Sequence, residues 1–249
     1  MHRIIIIIVW FFAVFVTCKS EKHITIFTIG DSTMANKKAE VYPETGWCQV
    51  AGNYFNETVT IKNHAMNGRS SKSFIDEGRW THVLDSLQKG DFVFIQFGHN
   101  DQKAQDTTRH TLPFETYSEN LIKFIQETRD KGAYPVLFTS IVRRKFGEDG
   151  KLTDTHGDYP IATRKVAAEL NVPLIDLQTL TEAFVNRLGD TESKNVYLWT
   201  EPNEHFPEGR KDDTHLSFDG ANIVAQLAIE AITETIPELS KRKQLNSKK

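Results

Sequence analysis

Cysteine is scarce: the 249 residues hold two, Cys18 and Cys48. If the extreme amino terminus is removed, Cys48 stands alone. No internal disulfide is then available, and apolar burial must carry stability. Charge of one sign is lacking too. The 30 Lys and Arg oppose 33 Asp and Glu, a formal charge of −3, and no dense basic patch stands out, which argues against nucleic acid as a partner. Metal and nucleotide signatures are missing: there is no His-Glu-x-x-His, cysteine pair, calcium loop or P-loop lysine motif, so neither metal nor cofactor is expected. No repeat, low-complexity tract or Pro/Ser linker divides the chain, and its length fits one well-buried core.

What is present begins with His2-Arg3 and an apolar run over residues 4–16. That run is too short to span a bilayer comfortably and reads as a secretory signal peptide covering 1–20. The expected location is therefore secreted, periplasmic or cell-surface. Cys18 lies where such a signal would be cut, which leaves a lipid anchor there as an alternative to ordinary cleavage after Cys18 or Ser20. The preceding Phe15-Val16-Thr17 departs from a lipoprotein box, having no Leu and a β-branched residue before the cysteine. No other membrane contact is expected. One domain should follow over 21–237, then a basic tail over 238–249, with Lys241-Arg242-Lys243 read as a solvated end.

Apolar β-branched runs at 24–29, 58–62, 92–97, 135–139 and 173–176 predict strands, and Phe92-Val93-Phe94-Ile95 has the continuous apolar character of a strand buried on both faces. Helical patterns fall between and after them, at 46–55, 72–87, 116–131, 160–170, 177–188 and 220–235. Such alternation predicts an α/β fold with a parallel sheet covered on both faces. Ligands collect outside the carboxyl ends of such strands. There the sequence places Gly30-Asp31-Ser32-Thr33, then Asn67-Gly68-Arg69-Ser70, then Gly98-His99-Asn100-Asp101.

A serine hydroxyl becomes a useful nucleophile when a histidine takes its proton and a carboxylate fixes that histidine's tautomer. Ser32 with Asp212-Asp213-Thr214-His215 supplies those groups in the order Ser, Asp, His. Each fragment alone has a plainer reading. Ser32 or Asp31 could cap a helix, Asn100 and Asp101 could brace a turn, and Asp212 with His215 could be a surface pair or metal ligands. The Gly-x-Ser-x-Gly elbow of α/β-hydrolases is absent.

The four blocks together resemble the SGNH (GDSL-type) hydrolase family in order and spacing. Gly30-Asp31-Ser32-Thr33-Met34-Ala35, Gly68-Arg69-Ser70-Ser71-Lys72-Ser73-Phe74, Phe97-Gly98-His99-Asn100-Asp101 and Thr214-His215 look most like rhamnogalacturonan acetylesterases. The likeness runs from about Ile24 to Gly220. It implies a three-layer α/β/α sandwich with a flavodoxin-like parallel sheet of about five strands. It implies Ser32 as nucleophile, His215 as base and Asp212, by the Asp-x-x-His spacing, as the carboxylate that holds it. Asp213 is left as a turn or capping residue. The resemblance also assigns an oxyanion hole to the backbone N–H groups of Ser32 and Gly68 and the side-chain amide of Asn100. Preorganised donors of this kind stabilise the charge that develops on the ester oxygen.

Around that core, Arg69, His99, Trp199 and His205 are candidates for touching substrate. His99 reads equally as hydrogen-bonding support for its turn, and Trp199 and Phe206 equally as packing residues. Asp31 should brace the serine turn, His156 and Asp158 should open a helix, and Trp47 and Trp80 should pack helices on the sheet. A monomer is expected, and the resemblance implies removal of acetyl groups from a polysaccharide or oligosaccharide, pectic rhamnogalacturonan first. Acetylated xylan, another glycan or a lipid ester remain alternatives, as does a carbohydrate-binding domain without turnover.

Overall fold

Strand β1 (Ile24–Gly30) alternates its side chains between two separate cores. Ile24 and Ile26 pack into one, Phe27 and Ile29 into the other, because successive residues of a strand point to opposite faces. The same division runs through β3 (Phe92–Gln96) and β4 (Tyr134–Phe138). Sequences apolar on both faces have nowhere stable to go except the middle of a layered fold. In this computed structural model, which describes residues 22–244, they occupy it. The sheet is parallel throughout, in the order β2 (Val59–Asn63), β1, β3, β4, β5 (Leu174–Ile175).

One core is covered by α1 (Trp47–Ala51), α6 (Leu177–Glu192) and α7 (Phe218–Thr235). The other is covered by α2 (Ser71–Asp76), α3 (Arg79–Ser86), α4 (Ser118–Asp130) and α5 (Tyr159–Glu169). This is the expected α/β/α sandwich. The strand order reverses between β1 and β3, and their register pairs Gly30 with Gln96. The two strands therefore end level with each other at the switch point, where a crevice opens for ligand.

Several boundaries differ from expectation. The helix expected over 72–87 is two helices, because Gly78 between them adopts φ +70°. The helix expected over 46–55 ends at Ala51 and continues as a 3₁₀ turn over Gly52–Tyr54. Between the helical patterns at 177–188 and 220–235, where no strand was expected, Tyr197–Thr200 (β6) pairs antiparallel with Arg210–Leu216 (β7) as a separate two-stranded arm.

The carboxyl end also departs from the expected tail. Pro237–Ser240 forms α8. Arg242 is buried, donating from Nη1 to Thr58 Oγ1 at 2.6 Å and from Nη2 to Glu238 Oε1 at 2.8 Å. Packing thus continues past 237 to residue 244. The signal segment 1–20, the Cys18 anchor and the last five residues of the basic tail lie outside the described residues. Among the described residues, no helix is long and apolar enough to cross a membrane.

Helix α7 starts two residues after β7, and its first turn is pressed against the arm. Ser217 caps it by accepting from Gly220 N at 3.0 Å while its own Oγ donates to Asn195 O at 2.7 Å. A Cβ on Gly220 would overlap the Val196 carbonyl oxygen. Gly220→Ala should therefore lower stability by about 1–3 kcal/mol as the helix is forced outward. Urea unfolding measures this, and an unchanged midpoint would show that the helix yields freely.

Candidate active site

Ser32 sits in the turn that leaves β1, and its position is set by a buried chain of hydrogen bonds. Trp47 Nε1 donates to Gln96 Oε1 at 2.7 Å, Gln96 Nε2 donates to Thr33 Oγ1 at 2.9 Å, and Thr33 Oγ1 donates to Asp31 Oδ1 at 2.8 Å. Asp31 Oδ1 also accepts from Thr33 N at 2.9 Å, so Asp31 braces the turn as expected. Burial pushes the Asp31 carboxyl up, and the two Thr33 bonds offset part of that rise. Gly30 cannot be enlarged here, since a Cβ would lie 2.5 Å from Met34 Sδ and 2.6 Å from Gln96 O.

The acid and base come from a bulge in β7. Neighbouring residues Tyr197 and Leu198 of β6 pair with Leu216 and Asp212, so residues 213–215 loop out of the ladder. Bulges of this sort re-aim side chains. Asp212 Oδ1 holds the bulge by accepting from Thr214 N at 2.9 Å and His215 N at 3.0 Å. The curled chain brings His215 Nδ1 to 2.8 Å from Asp212 Oδ2 and His215 Nε2 to 2.9 Å from Ser32 Oγ. An ionised carboxylate only accepts, so Nδ1 carries the proton, and Nε2 is left to accept from the serine hydroxyl. Burial raises the Asp212 pKa, but the bonds from the His215 ring and from the His215 and Thr214 backbone outweigh it. The group falls well below the usual carboxylate range.

Asp213 points elsewhere. Its Oδ1 accepts from Arg144 Nη1 and from Trp199 Nε1, both at 2.8 Å, tying the arm to the chain after β4.

The opposite wall carries Gly68 and Asn100. Gly68 adopts φ +78°, the left-handed region that a side chain disfavours. A Cβ there would meet only Arg109 Nη1, at 3.7 Å. Backbone conformation alone therefore favours glycine here. Asn100 is buried and donates one amide hydrogen to Arg69 O at 3.0 Å, which fixes its plane.

Asp101 fastens this wall together. It accepts from Ser71 N at 3.0 Å, Ser71 Oγ at 2.6 Å, Gly98 N at 3.0 Å and Thr111 Oγ1 at 3.1 Å. Sequence reasoning left it as a possible brace. Gln96 was missed, although a glutamine ending the buried run Phe-Val-Phe-Ile-Gln was its one signal.

The four candidates for substrate contact fare differently. Arg69 is half-buried and pairs with Glu77 at 3.0 Å beside an open cleft of about 650 Å³ that begins at Gly68. His99 does not line a surface. It is buried, with Nδ1 3.0 Å from His156 Nε2, and its carbonyl accepts from Arg143 Nη2 at 3.2 Å. Its place is behind Asn100, supporting the turn. Trp199 is not a free platform either: Lys194 lies 4.7 Å and Arg144 4.8 Å from its ring centre. His205 is exposed and meets the Tyr42 ring edge-on at 6.4 Å.

Comparison with known proteins is consistent with this geometry. Residues 28–223 match the GDSL-like lipase/acylhydrolase family. The chain is 43% identical over 216 residues to rhamnogalacturonan acetylesterase RhgT of Bacillus subtilis (strain 168), covering 86% of this chain and 91% of that one. It is 29% identical over 232 residues to the rhamnogalacturonan acetylesterase of Emericella nidulans, covering 84% of each. Among solved structures, YxiM of Bacillus subtilis superimposes with TM-score 0.71 at 24% identity, over 86% of this chain and 57% of that one. Axe2, an acetylxylan esterase from Geobacillus stearothermophilus, superimposes with TM-score 0.60 at 19% identity, over 84% and 93%. These two show the fold alone.

The different partners of Asp212 and Asp213 give separable outcomes. Asp212→Asn should lower kcat on an acetyl ester by roughly 10³–10⁴, because the histidine loses the acceptor that sets its tautomer. Asp213→Asn should act mainly on stability, through Arg144 and Trp199. Steady-state rates beside thermal melts separate the two, and equal loss of kcat would contradict the assignment.

The histidine pair predicts acid sensitivity. Burial, then Arg143, lowers His156 to about 3, and burial, then His156 and Arg143, holds His99 well below its ordinary value. An unfolded histidine titrates near ~6.5. Between these values the unfolded chain binds protons that the folded one refuses, so this stability is present above ~6.5 and lost as pH falls. His156→Gln should flatten the fall in Tm between pH 6.5 and 4.5. An identical slope in the variant would remove the pair as the cause.

Proposed function

The chain is a carboxylic ester hydrolase of the GDSL-like lipase/acylhydrolase family, and on that footing we propose that it removes O-acetyl groups from pectic rhamnogalacturonan through an acetyl-serine intermediate. The observation that carries the chemistry is the hydrogen-bonded relay Asp212–His215–Ser32, at 2.8 and 2.9 Å. The relatives named as rhamnogalacturonan acetylesterases support the substrate.

In this reading Ser32 Oγ attacks the acetyl carbonyl carbon as His215 Nε2 takes its proton. The negative oxygen forms beside the N–H groups of Ser32 and Gly68 and the free amide hydrogen of Asn100. These donors act without rearranging, because the Gln96 chain and the Asp101 hub already hold them. His215 then returns the proton to the sugar oxygen, which leaves as an alcohol. A water activated by the same imidazole hydrolyses the acetyl-serine, releasing acetate and restoring Ser32. Asp212 stays ionised throughout and stabilises the imidazolium.

Ser32→Ala should abolish acetate release while leaving the melting transition in place. Asn100→Ala should lower kcat by roughly 10²–10³, as expected for one oxyanion donor. Acetate release from acetylated rhamnogalacturonan, acetylated xylan and small sugar esters measures both. Near-normal turnover by Ser32→Ala would remove it as nucleophile, and preference for xylan would replace the substrate.

A further inference from the structure

The direction of the reaction decides where the sugar must lie. The acyl oxygen turns toward Gly68 and Asn100, so the departing alcohol oxygen must reach His215 Nε2, which returns its proton. The glycan therefore extends from the His215 side of Ser32, away from the Gly68 wall. Three segments outside the relay, one of them close to His215 in the chain, meet through exposed aromatic rings.

Tyr42 follows the serine turn and is 53% exposed, and Phe218 opens α7 and is 43% exposed. Their ring centres are 6.2 Å apart, and His205 from the β6–β7 connection abuts Tyr42. Single exposed aromatics are ordinary, but rings gathered from three segments, with Phe218 three residues past His215, ask for a ligand.

The segment bearing Tyr42 is strapped at both ends of the site. Thr45 N donates to Leu216 O at 3.0 Å, beside His215. At the other end Lys37 Nζ donates to Asn67 Oδ1 at 2.7 Å, beside Gly68, and pairs with Glu44 at 2.7 Å. Tyr42 is thus held in place relative to the reacting atoms. Aromatic faces suit a pyranose ring, whose axial C–H groups form an apolar face between polar edges. An aromatic ring offers that face a large contact at little cost in side-chain entropy.

We propose that Tyr42 and Phe218, with His205 at their edge, form a platform on which a sugar ring of the glycan stacks while its acetyl ester faces Ser32. This rests on the glycan esterase reading above and adds the surface that selects a sugar over other alcohols.

The test compares acetate release from acetylated rhamnogalacturonan oligosaccharides with hydrolysis of glyceryl triacetate, an ester that has no ring to stack. For Tyr42→Ala with Phe218→Ala, the ratio of kcat/KM on the oligosaccharide to that on the triacetate should fall about tenfold, mainly through KM, the size of one aromatic contact of about 1.4 kcal/mol. Tyr42→Trp should restore it, which a general loss of folding would not allow. An unchanged ratio would overturn the platform, as would a change in sedimentation without a change in KM, which would mark the patch as a contact between copies. If the unaltered protein cleaves the triacetate but no acetylated glycan, the esterase substrate falls and the platform with it. If it cleaves both and the variants match it, only the platform falls.

Discussion

The side chain of Gln96 joins the two halves of the site. Trp47 can only donate through its indole N–H, which fixes the Gln96 carbonyl toward it and the amide hydrogens toward Thr33. Thr33 then has its own hydrogen left for Asp31. Every donor in the series points the same way, ending on a buried carboxyl, and bonds aligned head to tail strengthen one another. Ser32 lies between the last two members. Its place is therefore set from β3 as well as from the strand that carries it. The same β3 runs on into the Gly98–Asp101 turn, so nucleophile and oxyanion donor share one reference frame.

This arrangement follows from the sheet order. At the reversal between β1 and β3 the chain leaves one strand for α1 and the other for α4, on opposite faces of the sheet, and a crevice opens between them. The crevice is lined with polar backbone, and two buried acidic side chains take up several of its donors. Asp31 takes the amide and hydroxyl of Thr33 within its own turn, and Asp101 gathers donors from three segments. Both are buried carboxyls that serve geometry, beside the one carboxyl that serves His215.

Much of this was legible in the sequence, and the failures have physical causes. The central strands announced themselves because a strand buried on both faces must be apolar throughout, and 92–95 is. Ser32, Gly68 and Asn100 stood out because three polar blocks fell at one sheet edge, while their roles and the choice of Asp212 with His215 came from the resemblance to SGNH hydrolases. Strand β7 was hidden: Arg-Lys-Asp-Asp-Thr-His-Leu shows no apolar alternation, since its pairing with β6 is interrupted by the bulge that carries the histidine. Trp199 and His99 each kept two readings because residue type says nothing of what covers a ring. Lys194 and Arg144 lie over the first, and His156 packs on the second. Arg242 looked like part of a solvated basic run, and only the fold reveals Thr58 and Glu238 waiting for it.

The bulged arm has one more consequence. Acid and base are three residues apart and are held together by bonds within the arm, whereas base and nucleophile are 183 residues apart in sequence. The relay thus divides into a self-contained proton-handling cassette and a separate anvil, with one hydrogen bond as the seam. Bonds within the arm alone orient the imidazole and favour the charged carboxylate, and the serine adds only the last contact. Evolution can restyle the sheet edge or the arm independently so long as that seam closes, and a common catalytic core can then face many different esters.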